Sequence, residues 1–482
     1  MSEPSDPVDE RRLRFAIAAV GCALFASVAI PGQPPGINVV IPAAAGGLAL
    51  LWLLRDRLDR SGLVLGALAL LLFSTFALRS AEWVLTIDLV AAFMVAAVAT
   101  SGTQSWAAVL AAPFRVAKIH RGLTFVLDPV VGRIARSPLE NLAPVGRGLL
   151  AGLALVLTFG SLFVSADPAF ASLTSEILLP DWDLALIPAR VALGIVTVGA
   201  IGCLAVAPRL ATEGEAIWDD PLARRRLVKA EWATALVLLV ALISLFVVLQ
   251  LTVLFGDHSY VLKKTGLTYA EYAREGFFQL VVAAALTLGV VAATARFAER
   301  DSVEDERLLK LLLGALCVLT LVVLVSAHTR LALYEGAFGF TRLRLFVHLV
   351  ILWLAGIFFI VMGAGAMSKG ARAARFMIGF SAVTLIAFGL VNPDRMIAER
   401  NVERFDRTGD LDIAYLSRLS PDAVPALAEL PEPLRSCALA PIATRLIDNK
   451  GSLWSFNRGR AEAIRVIFGG SPFDPIPKCH LP

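Results

Sequence analysis

The sequence predicts an all-α fold: a polytopic transmembrane bundle of about eleven helices, followed by a small helical C-terminal domain. Three observations predict it. Of 482 residues, 57% are hydrophobic and only 17% charged, with a mean hydropathy of +0.73. An ordinary soluble domain is about a quarter charged. The apolar residues gather in runs close to the ~20 helical residues that a bilayer core about 30 Å thick demands. From Asn392 onward the runs stop and polar turn signals take over. These features exclude a soluble enzyme, a disordered chain and a disulfide-built scaffold. The expected division is a transmembrane domain, 1–391, and a helical tail domain, 392–482.

Eleven runs qualify: Phe15–Ile30, Val39–Leu54, Gly62–Leu78, Val84–Thr100, Gly148–Ala166, Ala185–Ala207, Trp232–Phe255, Gln279–Ala295, Leu311–Ala327, Val347–Ala366 and Met377–Val391. They lack the alternation of barrel strands, and hydrocarbon leaves a lone segment no way to satisfy its backbone except as a helix. The first run follows Arg11, Arg12 and Arg14, as a secretory signal would. No small-residue cleavage site precedes Pro31, so it reads as an uncleaved first span.

Orientation follows from Lys and Arg in the connections, which favour the cytoplasm. With a cytoplasmic N-terminus, the inside segments carry 24 basic residues and the outside loops 7. Eleven crossings then leave 392–482 outside; ten or twelve would leave it inside. An external tail would hold Cys437 and Cys479 in an oxidising compartment. A bridge between them would contribute about 3–4 kcal/mol through loop closure; the alternative is two unpaired thiols. Cys22, Cys203 and Cys317 fall in apolar runs, where cysteine acts as a small hydrophobe.

The tail reads as short helices. Asn392-Pro393-Asp394 is a helix start, with Asn as cap and Pro in the first turn, and Gly409 ends that helix. Asp410–Leu419, Ser420–Leu430, Leu434–Ile447 and Ser455–Ile467 are further expected helices. In the loop 101–147, Arg115, Lys118 and Arg121 recur every third residue between apolar neighbours. That pattern fits either a helix lying on an anionic leaflet or a solvated basic connector.

No phosphate-binding glycine loop, zinc-protease motif or nucleophile elbow is present. No cysteine–histidine spacing suggests a metal, and no cofactor is implied. The acidic loop residues Asp167, Glu176, Asp181 and Asp183 read as solvated rather than cation-binding. A net charge of +4 gives no reason to invoke nucleic acid. Glycines at Gly62/Gly66 and Gly148/Gly152 have the spacing that lets membrane helices approach closely. Two charges fall inside runs: Asp88 and Arg190. Both runs enter from the outside, so both charges lie at similar depth, and an intramembrane ion pair would offset their burial; the alternative is a snorkelling arginine and a carboxylate in a wet crevice.

The outer loops carry the densest polar strings. One holds Tyr269, Glu271, Tyr272, Arg274 and Glu275. A second holds Arg330, Tyr334, Glu335, Arg342 and Arg344. The tail adds Asp394, Arg395, Asn401, Arg404, Asp410 and Asp412. Together they form a candidate ligand-binding crown on the outer face, or else a set of ion pairs tying loops to tail.

The strings LTYAEYAREGFFQL (267–280), RLALYEGAFGFTRLRL (330–345) and NPDRMIAERNVERFDRTGDLDIAYLSRLSPDAVPAL (392–427) resemble a family of bacterial polytopic membrane proteins catalogued only as a domain of unknown function. The resemblance covers the second half of the chain well and the first half by hydropathy. It implies a bacterial cytoplasmic membrane and brings no catalytic residues. Three functions are open. The first is a ligand- or partner-binding sensor or assembly component of the cell envelope, its partners membrane lipids and an envelope protein or lipid-linked ligand. The second is an enzyme acting on a lipid-linked substrate, with Glu271, Glu275 or Asp394 as base. The third is a transporter, for which no internal repeat is visible.

Overall fold

The computed structural model describes residues 7–102, 119–135, 186–215, 227–255, 277–367, 370–449 and 451–469. Sixteen α-helices and no strand occur among them; one isolated bridge joins Leu227 to Ala298. Ten helices are long and apolar enough to cross a membrane. They match ten of the eleven expected runs; the remaining one, Gly148–Ala166, lies outside the described residues. The protein is thus a multi-pass membrane protein.

The chain forms two compact units. Unit 1 comprises 1–103, 107–215 and 443–476; unit 2 is chiefly 216–442. The expected boundary at 391/392 divides the chain by medium, lipid against water. The units divide it by contact, so each takes both spans and part of the tail.

In unit 1 the helices are α1 (Pro7–Ala29), α2 (Ile37–Leu54), α3 (Arg60–Leu78), α4 (Glu82–Ser101), α5 (Ile119–Ala135) and α6 (Ile187–Glu215). Except in the amphipathic α5, their apolar sequences leave little contrast between faces, so small residues decide the packing. At Gly62 an added Cβ would meet the Ala99 carbonyl of α4, while Gly66 has open space around it. Of that expected pair only Gly62 lies at a close approach. The tightest crossing is Gly122 of α5 against Gly199 and Gly202 of α6, where a Cβ on Gly122 or Gly202 would overlap the facing backbone.

These contacts fix the direction of the helices. Leu186, just ahead of α6, packs on Gly32 in the α1–α2 turn, and Gly194 faces Ala23 and Ser27 of α1. At the other end Phe125 of α5 meets Phe15 of α1, ring centroids 6.2 Å apart. So α1 and α6 run antiparallel, and α6 begins at the end that carries the α1–α2 turn. Helix α4 runs away from that end and finishes at the opposite one.

Unit 2 contains α7 (Lys229–Phe255), α8 (Phe277–Phe297), α9 (Val303–Phe338), α10 (Arg342–Ala366) and α11 (Gly370–Val391). Its core runs along α7–α10 through Trp232, Leu236, Ala284, Leu316, Leu324, Leu331, Leu354 and Phe358. Helix α9 has 36 residues, about 54 Å at 1.5 Å per residue, and so exceeds the hydrocarbon thickness. Ser302 caps its start by accepting from the Asp305 amide at 3.1 Å, and Gly339 ends it with φ +79°.

The polar segment follows as α12 (Pro393–Thr408), α13 (Ile413–Leu416), a 3-10 turn (Pro421–Ala423), α14 (Val424–Leu427), α15 (Leu434–Asp448), a second 3-10 turn (Leu453–Ser455) and α16 (Arg458–Phe468). The boundary between the units falls within α15. The start expected at Asn392 and the stop at Gly409 are both present, Asn392 at φ +62° and Gly409 at φ +76°. The helices expected over 410–419 and 420–430 are reduced to α13 and to a 3-10 turn with α14. Cap-forming Asp412 and the Ser-Pro turn compete with a continuous helix there.

Candidate functional site

In unit 2 the end of α9, the start of α10 and helix α12 meet in one polar layer. Local sequence explains its form. A helix leaves its last carbonyls without partners, and here arginines supply them. Arg404 of α12 donates to the Ala337 carbonyl at 2.9 Å and the Gly336 carbonyl at 3.4 Å. Arg344 donates to the Phe338 carbonyl at 3.1 Å and to that of Gly339. Asn401 accepts from the Phe340 amide at 3.1 Å and donates to its carbonyl at 2.9 Å, holding both backbone polar groups of that residue. Gly339 must be glycine: its φ is left-handed, and a Cβ would press on Asn401 Oδ1.

The centre of the layer is a bidentate pair. Arg342 donates through Nε to Asp394 Oδ1 at 2.9 Å and through Nη2 to Oδ2 at 2.5 Å. Asp394 is fully buried and also accepts from the Ser420 amide at 2.8 Å. The Arg342 amide donates to the Tyr415 hydroxyl at 2.7 Å. Burial holds that hydroxyl's pKa above the ordinary tyrosine value, with the Arg342 hydrogen bond opposing.

The remaining crown residues fall around this centre. The Arg344 guanidinium stacks 4.2 Å from the Tyr334 ring centroid. Arg395 pairs with Glu399 at 2.8 Å on the exposed side of α12. Asp410 meets Arg404 at 3.3 Å, and Asp412 caps α13 by accepting from the Tyr415 amide at 2.9 Å. Arg330 sits half-buried on α9. Tyr269, Glu271, Tyr272, Arg274 and Glu275 lie outside the described residues. So Arg342, Arg344 and Arg404, three residues of the expected crown, serve the chain's own carbonyls and carboxylates.

One group in this region has a different character. Glu335 is buried on α9. Its Oε2 lies 2.7 Å from His348 Nε2 on α10, while Oε1 has no hydrogen-bond partner. His348 Nδ1 lies 3.0 Å from Nδ1 of His328, which is exposed one face round α9, and the two rings meet edge-on with centroids 4.8 Å apart. Two hydrogen bonds therefore connect an exposed imidazole to a buried carboxylate. A doubly protonated His348 donates to both neighbours; a neutral His348 donates to Glu335 and accepts from His328. His348 lies within the apolar run Val347–Ala366, which reads from the sequence as a membrane span and not as part of a site. An intramembrane histidine was the available signal.

Asp88, read from the sequence together with Arg190, is buried on α4, where its Oδ2 accepts from Thr75 Oγ1 on α3 at 2.7 Å and its Oδ1 has no hydrogen-bond partner; Arg190 is half-buried on α6. Cys437 is buried and disulfide-bonded, whereas Cys22, Cys203 and Cys317 are buried thiols outside any disulfide. Cys479 lies outside the described residues. No set of three or more metal-ligating side chains occurs among the described residues.

No curated protein and no solved structure matches the chain. Residues 66–430 match the family described as Domain of unknown function (DUF4153), and since that match spans more than half of the chain, the protein belongs to this family.

Proposed function

We propose that the protein is a ligand- or partner-binding component of the bacterial cell envelope, and that its recognition centre is the chain Glu335–His348–His328. It sits in the cytoplasmic membrane with its N-terminus inside and its C-terminal helices outside. The distribution of basic residues, 24 against 7, supports that orientation. So does the attachment of residues 452–457 to the end of unit 1 that carries the α1–α2 turn.

The observation that carries the reading is the unpartnered Oε1 of Glu335. Around it, charged side chains are matched to carbonyls or opposite charges. A buried acceptor left open is costly unless something donates to it, and His328 gives the same chain an exposed end. A hydrogen-bond-donating headgroup or a polar segment of an envelope protein has the chemistry to complete it.

Site-specific photocrosslinking in intact cells tests this. A benzophenone amino acid replacing Ala332, exposed one turn after His328 on α9, should yield a discrete adduct, lipid or protein, that is lost when E335Q is added. The same probe at Val325, exposed one turn before His328 on α9, should label bulk lipid with no dependence on E335Q. Identical labelling at both positions would rule the site out.

A second reading has its own support. A carboxylate that orients an imidazole is the arrangement of a general base, so an enzyme acting on a lipid-linked substrate would use His348 and His328. Asp394 is unsuited to that role, being enclosed by Arg342 and Ser420. Accumulation of a lipid-linked intermediate in a strain carrying H348Q would favour the enzyme.

A further inference from the structure

The second 3-10 turn is fastened to three membrane helices of unit 1. The Ser452 amide donates to Gln33 Oε1 at 2.9 Å, in the α1–α2 turn. The amide of Ile37, first residue of α2, donates to the Phe456 carbonyl at 3.0 Å. Asn457 Nδ2 donates to the carbonyls of Phe76 and Arg79, at the end of α3, at 2.8 and 2.6 Å. Gly36 permits the approach, because a Cβ there would overlap the backbone of Ser455 and Phe456. The segment's backbone is therefore held at the level where α1, α2 and α3 leave the membrane.

Its large side chains nevertheless remain uncovered. Leu453 is 91% exposed, Trp454 56% and Phe456 53%. Trp454 meets Phe25 of α1 edge-on, ring centroids 5.8 Å apart. On the same stretch of α1, Leu24 and Val28 are 63% and 64% exposed, the surface expected of a span that faces lipid. The apolar surface of the turn thus continues that of a membrane helix. Arg458 and Arg465, both exposed, follow immediately on α16.

We propose that Leu453, Trp454 and Phe456 are an interfacial lipid anchor. They enter the boundary between headgroups and acyl chains of the leaflet on the tail's side, with Arg458 and Arg465 facing anionic headgroups. Aromatic residues favour this depth because one edge is apolar and the other polar, and basic residues near the surface add attraction to anionic lipid. The occupant is lipid rather than a protein partner because the exposed residues adjoin the lipid-facing surface of α1 and are fastened to the span ends themselves.

Spin-label accessibility in the full-length protein, reconstituted in nanodiscs, tests the proposal. Labels are placed at L453C, at L24C as the lipid-facing reference and at E403C on the exposed face of α12, with Cys22, Cys203 and Cys317 replaced by alanine. The L453C label should collide more with oxygen than with a water-soluble nickel complex, as at L24C, and E403C should show the reverse. Adding phosphatidylglycerol to phosphatidylcholine discs should move the L453C label deeper, and R458Q/R465Q should abolish that movement. A water-like profile at L453C would overturn the anchor, and so would a label inaccessible to both reagents, which would mean a protein cover. A fluorescence measurement that needs no cysteine replacement gives the same decision. Of the eight tryptophans, Trp454 should be among those quenched by brominated lipid. W454F should then lower the quenched fraction; an unchanged fraction would count against the anchor.

Discussion

The partners of single charged side chains separate structural from functional roles. Asp394 and Arg342 form one ion pair, yet they are not equivalent. Asp394 is fully enclosed, whereas the Arg342 side chain is 35% exposed. Removing the arginine takes the opposite charge away from a buried carboxylate that also accepts from the Ser420 amide. We expect R342A to cost about 3–5 kcal/mol. D394A leaves a guanidinium that water can reach, and should cost about 2–3 kcal/mol. Thermal melts in detergent, ordered R342A below D394A below wild type, check this; the reverse order would show that the carboxylate is not the buried partner. Tyr415 gives a pH signature of the same layer. Its folded pKa is raised by burial, so the fold binds that proton more tightly than the unfolded chain does. The contribution is complete below the unfolded value near 10 and is lost as pH rises from there towards the folded value. Y415F should remove this alkaline loss. It should also cost about 1–2 kcal/mol at neutral pH, because the Arg342 amide loses its acceptor. Melting temperature followed from pH 7 to 11 reads both effects. These residues were legible in the sequence as a polar set, but their division of labour was not. Nothing in a string of arginines distinguishes one that caps a helix from one that holds a ligand, and the informative residue, His348, sat in an apolar run.

Helices were legible wherever local chemistry determines them. Asn392 and Gly409 bracket α12 as cap residues do, and ten apolar runs are ten helices. What the sequence under-read was length. Leu311–Ala327 is only the apolar middle of α9, which continues through the charged turns on both sides, because cap and packing, not hydropathy, set its ends. Spacing of glycines was also a weak guide, since a close approach needs a glycine opposite. Gly66 has the expected spacing and faces open space; Gly122 has no such partner in sequence and meets Gly199 and Gly202. The two positions should therefore respond oppositely to one methyl group. G122A forces α5 and α6 apart and should cost about 1–3 kcal/mol. G66A adds only helix propensity and should be neutral or stabilising by up to about 1 kcal/mol. Unfolding midpoints of the two variants compare them directly, and equal effects would contradict the crossing.

At the scale of the molecule, connectivity constrains sidedness. Helix α4 ends at the side of unit 1 where α1 begins, whereas α6 starts at the side of the α1–α2 turn. The chain between them changes sides, as an odd number of crossings requires; the expected crossing at Gly148–Ala166 lies outside the described residues. From the end of α6, five candidate spans, α7 to α11, lead to Asn392. The described tail contains no helix able to cross a membrane, and residues 452–457 are bonded to the α1–α2 turn and to the end of α3. Within unit 1, residues 452–457 therefore lie at the end that carries the α1–α2 turn, away from the end where Phe15 of α1 meets Phe125. Which side is cytoplasmic rests on the basic residues alone. Paired topology reporters test both statements. A phosphatase active only outside the cytoplasm, fused after Thr408, should be active, and a fusion after Arg300, between α8 and α9, should be silent. A cytosolic fluorescent reporter should give the complementary pattern. If both sites report the same compartment, the relation between α9, α10, α11 and the tail is broken. If both are reversed, the bundle stands and only its orientation is inverted, which would move Glu335, His348 and His328 to the cytoplasmic face.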